Sequence, residues 1–65
     1  MNISEQIRAL RKLKGITQER LSEKAGLSRS MVGLYERGET SPSIYAVEHI
    51  LDVLGYELRI VPKDD

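Results

Sequence analysis

Two short stretches of this sequence begin in the same way. Ile16-Thr17 precedes Leu21 and Leu27-Ser28 precedes Val32, so each hydroxyl stands between an apolar residue and another four positions further on. A hydroxyl placed like this accepts a free N–H of a first helical turn, and the apolar pair closes over it as a staple. Between the two stretches lies Ala25-Gly26-Leu27, where Gly26 supplies the left-handed backbone that a tight reversal requires. The constraint is severe. One short helix predicted to follow Thr17 and another predicted over residues 29–37 must pack together across a turn of about three or four residues.

The flanking segments add two helices and then a change of period. Ile3, Ile7, Leu10 and Leu13 recur at helical spacing, Asn2 and Glu5 are placed as a capping pair, and Gly15 stands where a helix stops. After Gly38 comes the polar Glu39-Thr40-Ser41, then Pro42, which suits the first position of a fourth helix capped by Ser41. Ile44, Val47, Ile50, Leu51 and Leu54 give that helix its core stripe, and Gly55 ends it. Tyr56-Glu57-Leu58-Arg59-Ile60-Val61 shifts to a period of two, as a short strand would, and Pro62 closes it. With 65 residues, 40% of them hydrophobic, and neither Phe nor Trp, the chain can bury one small aliphatic core. The expected fold is mainly α: a four-helix, helix-turn-helix domain over residues 1–55, then a strand and tail over 56–65.

Composition excludes several functions. There is no cysteine, hence no disulfide framework and no thiolate metal site. His49 is the only histidine and builds no metal site alone; no metal and no cofactor are expected. Ser28 and Ser30 fall outside the helix that carries His49, so no nucleophile–base arrangement stands out and no enzyme is expected. No segment reads as a secretory signal or a membrane span, which leaves a cytoplasmic chain as the expectation.

The net charge is zero, but it is unevenly divided. Residues 8–38 hold eight basic side chains against three acidic ones, whereas residues 39–65 hold six acidic against two basic. A basic half suggests a surface for polyanions. On a wheel of about 100° per residue, Met31, Val32 and Tyr35 turn toward the core while Arg29, Ser30, Gly33, Leu34 and Arg37 point away together. Arginine can donate twice to guanine, serine can bond to several bases, and an aliphatic group can meet a thymine methyl. Gly33 removes bulk where a helix would approach a groove closely. Phosphates would be held by Gln18 and the start of the second helix, and by the Thr40-Ser41-Pro42-Ser43 loop. Arg37, Lys14 and Arg20 add charge nearby.

Gly15-Ile16-Thr17-Gln18 with Leu21, Ala25-Gly26-Leu27-Ser28, Val32, Glu36-Arg37-Gly38 and Pro42-Ser43-Ile44 together resemble the lambdoid repressor/Cro and Xre superfamily of helix-turn-helix regulators. The resemblance covers residues 3–55. It implies double-stranded DNA as partner, with base contacts at Arg29, Ser30 and, a turn later, Gly33 or Leu34. It implies phosphate contacts at Gln18, Ser28, Arg37 and the loop residues Thr40, Ser41 and Ser43. It further implies that Glu36 pairs with Arg11 beneath the reading helix, serving orientation more than stability.

Many members of that superfamily end in a fifth helix, whereas here Gly55 leads straight into the strand-like tail. In this the chain resembles HipB-type antitoxins, whose C-terminal strand pairs with its twin. A lone strand leaves a row of unpaired backbone groups. A second copy about a two-fold axis would satisfy them, with Glu57 and Arg59 meeting across the ribbon. Ala46 and Val53 extend an apolar arc beside Ile50, so Ala46, Ile50, Val53, Tyr56, Leu58 and Ile60 are the expected dimer contacts. The functional expectation is a homodimeric repressor or autorepressor on a palindromic operator, two reading helices entering successive major grooves about 34 Å apart. The alternative is an antitoxin that neutralises a partner toxin protein and autoregulates its operon.

Overall fold

The structure, a computed structural model, describes residues 2–64. Its helices are α1 (Ile3–Lys14), α2 (Gln18–Lys24), α3 (Met31–Glu36) and α4 (Ile44–Leu54). Local chemistry sets the first two. Asn2 Oδ1 accepts the Ser4 N–H at 2.8 Å, and Gly15, at φ 79°, ends α1 by donating its N–H to the Arg11 and Lys12 carbonyls. Thr17 Oγ1 accepts the Arg20 N–H at 3.0 Å and starts α2. Gly26, at φ 74°, turns the chain, and the Leu27 N–H reaches back to the Ser22 carbonyl at 2.8 Å.

The next two starts differ from expectation. The third helix was expected over 29–37 with Ser28 as its cap; α3 begins at Met31, and Arg29 and Ser30 form a turn before it. No side chain of its own segment caps it. The Val32 N–H instead donates across the motif to Ser22 Oγ at 3.1 Å, and both residues are fully buried. A hydroxyl from α2 thus satisfies a donor that α3 would otherwise bury unpaired. The fourth helix was expected to begin at Pro42 under a Ser41 cap, but Ser43 Oγ is the atom that reaches a first-turn donor, the Ala46 N–H at 3.1 Å. Pro42 therefore lies outside α4.

α1 and α2 each pack on both α3 and α4. Ile7, Leu21, Ala25, Val32, Tyr35, Ala46, Ile50 and Leu54 form the core, with Ile3, Leu10, Ile16, Leu27, Met31 and Val53 packed around it. Val47 and Leu51 are buried as well, but two stripe residues are exposed. Leu13, in the last turn of α1, is 78% exposed, and Ile44, the first residue of α4, is 66% exposed; each stands at a helix end where the neighbouring helices no longer cover it. Conversely, Ala46 and Ile50 were expected at a dimer surface but are buried in this chain's own core.

The tail is the largest correction. Among the described residues no strand is present, and residues 56–64 carry no regular secondary structure. A strand needs a ladder partner, and none lies beside this segment within the chain. Leu58, Ile60 and Val61 are left exposed. Glu57 and Arg59, expected to meet across two copies, pair within one chain: Arg59 Nε donates to Glu57 Oε1 at 2.8 Å.

Candidate nucleic-acid interface

The centre of the site is a carboxylate held beneath it. Arg11 Nε donates to Glu36 Oε2 at 2.6 Å and Arg11 Nη2 to Glu36 Oε1 at 3.0 Å, a two-point contact. Arg11 Nη1 also donates to the Ile16 carbonyl at 2.8 Å, and Gln18 Nε2 donates to Glu36 Oε1 at 3.0 Å. One network therefore joins α1, the loop before α2, the first residue of α2 and the last residue of α3. The side chains of Arg11 and Glu36 are 12% and 3% exposed. Burial pushes the Glu36 carboxyl up, but the hydrogen bonds from Arg11 and Gln18 and the positive charges of Arg11 and Arg8 together outweigh it and hold the group below its ordinary range. The hydrogen bond to Glu36 likewise raises Arg11.

Above this network lies a groove lined by Gln18, Glu19, Arg29, Ser30, Gly33 and Arg37. Residues from the start of α2 and from both ends of α3 meet there. Gly33 is its buried floor: a Cβ at this position would stand 3.0 Å from both Arg37 Nη1 and Gln18 Oε1. The missing side chain gives room to those two polar groups, whereas Gly33 was expected to face a ligand directly. Leu34 is half-buried and lies outside this set. Ser28, Thr40, Ser41, Ser43 and Lys14 are exposed but do not line the groove. The Ser43 hydroxyl is already engaged as the α4 cap. Arg20 stands 4.0 Å from Glu23 on the exposed side of α2.

Several contributors escaped the sequence reading. Glu19 Oε2 accepts from Arg29 Nη2 at 3.0 Å, and Arg37 Nε donates to Glu39. The hydrogen bond with Arg29 holds Glu19 below its ordinary range and raises Arg29 in turn. Glu19 adjoins Gln18 in the first turn of α2, and that placement was the available signal. Ser22 had none, because its partner comes from another helix. Among the described residues no three His, Cys, Asp or Glu side chains gather as metal ligands, and no helix is long and apolar enough to cross a membrane.

A short helix held by a buried ion pair, with Arg29 and Ser30 before it, Arg37 after it and Gln18 of α2 lining one groove, defines a DNA-binding module of the helix-turn-helix class. The chain belongs to the helix-turn-helix family, whose pattern it matches over residues 7–61, and the likeness is to its Xre and Cro/repressor type of non-enzymatic DNA-binding regulators. It is 36% identical over 65 residues to the immunity repressor protein of Bacillus phage phi105, covering 100% of this chain and 45% of that protein. It is 48% identical over 48 residues to YazB, an uncharacterized HTH-type transcriptional regulator of Bacillus subtilis, covering 74% of this chain and 70% of that protein. An uncharacterized HTH-type transcriptional regulator of Methanothermobacter thermautotrophicus is 41% identical over 51 residues, covering 78% of this chain and 74% of that protein. The chain thus spans about half the length of the phage repressor. No solved structure matches the chain.

Proposed function

We propose that this chain is a sequence-specific transcriptional regulator that acts as a homodimeric repressor or autorepressor. The observation that carries the reading is the groove. Gln18, Arg29, Ser30 and Arg37 converge on one face whose angle the Arg11–Glu36 pair fixes. Arg29 and Ser30 precede α3, so they would enter the major groove first, with Leu34 a turn behind. Gln18, Ser28, Arg37, Lys14, Thr40, Ser41 and Ser43 would hold the flanking phosphates, setting register without reading sequence. Relatives named as a repressor and as transcriptional regulators favour this over neutralisation of a toxin.

The second copy would cover an apolar surface where the tail passes the start of α4. Ile44 and Tyr45 at the start of α4 are exposed, and Ile44, Glu48, Leu58, Arg59 and Ile60 surround one depression where the tail passes α4. Tyr56, Leu58 and Ile60 remain as contacts from the tail, whereas Val53 packs against the core and lines a separate depression with Ala25 and His49; Ile44 and Tyr45 take the place of the buried Ala46 and Ile50. In such a dimer the exposed apolar side chains of the tail would be covered by the second copy. Titrating labelled duplexes tests the proposal: two chains per duplex, strong preference for one sequence and a steep fall in affinity with salt are expected. Equal affinity for every duplex would overturn it.

A further inference from the structure

A carboxylate stands in the middle of the basic groove, where it works against binding to any polyanion. Of the three acidic residues within 8–38, Glu36 is buried under Arg11 and Glu23 lies outside the groove beside Arg20. Glu19 lines the groove and is 58% exposed at its side chain, and it holds Arg29 through a single contact, Nη2 to Oε2 at 3.0 Å. An arginine offers five N–H donors, so this one-point contact restricts the guanidinium while leaving other donors available. We infer that Glu19 is a specificity-determining residue: it positions the Arg29 guanidinium for a base edge and penalises the looser mode in which that arginine grips phosphate. The inference rests on the proposed DNA-reading role of Arg29.

Two consequences follow from one charge. On non-cognate DNA, Arg29 has only phosphates to meet, and the nearby Glu19 carboxylate is repelled by them. On a cognate site the guanidinium donates to a base while remaining tethered to Glu19, so less side-chain freedom is lost on binding. Glu19 therefore weakens non-specific binding more than specific binding, and the difference is selectivity. Glu19 also stands in the first turn of α2, where a negative charge is favourable, but that acts on folding and leaves the ratio of two affinities unchanged.

The test measures the full chain and its Glu19→Gln variant on a duplex selected from a random pool and on an unrelated duplex, at matched salt. Glu19→Gln is expected to raise affinity for the unrelated duplex several-fold while leaving operator affinity level or lower, so that the ratio falls at least about five-fold. Preference at the base read by Arg29 should relax as well, and the effect should vanish in an Arg29→Ala background. Glu5→Gln, which removes a charge from the first turn of α1 outside the groove, should change both affinities alike. An unchanged ratio in Glu19→Gln, or an equal fall in Glu5→Gln, would overturn the inference while wild-type selectivity stood. Loss of wild-type selectivity itself would overturn the DNA-reading role and this inference with it.

Discussion

Glu36, the last residue of α3, receives two hydrogen bonds from Arg11 of α1, at 2.6 and 3.0 Å, so α3 is fastened at the end remote from Arg29 and Ser30. Six residues are too few for a helix to stand alone. Its angle therefore depends on tertiary ties: the Arg11 pair, the Gln18 hydrogen bond to Glu36, the Ser22 cap and the burial of Val32 and Tyr35.

Breaking that pair on one side should cost more than removing it whole. Arg11→Met strands a buried carboxylate and is expected to destabilise the fold by about 3 kcal/mol, with the partly wet guanidinium keeping the figure at the low end. Arg11→Met combined with Glu36→Met should cost less than the single change. Urea denaturation measures both; strictly additive losses would contradict the account.

The same carboxylate makes stability depend on acid. Glu36 is held below its ordinary range in the folded state, so it binds its proton more readily when unfolded. Its stabilisation is complete above the unfolded value of about 4.3 and is lost as pH falls through the lower folded value. Between pH 6 and pH 3, the wild-type urea midpoint should drop further than that of Glu36→Gln. Parallel curves would show that another carboxylate controls the acid limb.

Ser22→Ala deletes the acceptor for the buried Val32 N–H. It should destabilise by about 1–3 kcal/mol although it changes a single oxygen atom. Thermal or urea unfolding checks this, and a change near zero would mean that the donor finds another partner.

Gly33→Ala should separate stability from binding. Alanine suits a helix interior better than glycine by about 1 kcal/mol. The added Cβ presses first on the side-chain ends of Arg37 and Gln18. The melting temperature is expected to hold or rise while DNA affinity falls several-fold, as both polar groups are pushed from the groove. Equal affinity in a titration would remove Gln18 and Arg37 from the interface.

How much of this was legible in the sequence depended on how local each signal was. Asn2 and Thr17 lie within reach of the N–H groups they cap, and their helices start as read. The start of α3 was missed because its cap comes from Ser22, ten residues earlier and on another helix. Periodicity placed Leu13 and Ile44 inward, but it reports a residue's direction around a helix and says nothing about whether another element covers that helix end. The alternating tail reads as a strand from its side chains alone, yet a strand is a pairing. The groove was legible as an outward arc of Arg29, Ser30 and Arg37; the carboxylates that restrain those arginines were counted only as charge.

The most direct test of the central claim is selection of bound sequences from a random duplex pool by wild type and by Arg29→Ala. Wild type should enrich two inverted half-sites whose centres lie about 34 Å apart along the duplex. Arg29→Ala should bind that site roughly 5- to 150-fold less tightly and lose preference at one base position in each half-site. No enrichment by wild type, or an Arg29→Ala variant weakened equally on every sequence, would contradict the assignment of this face as the reader.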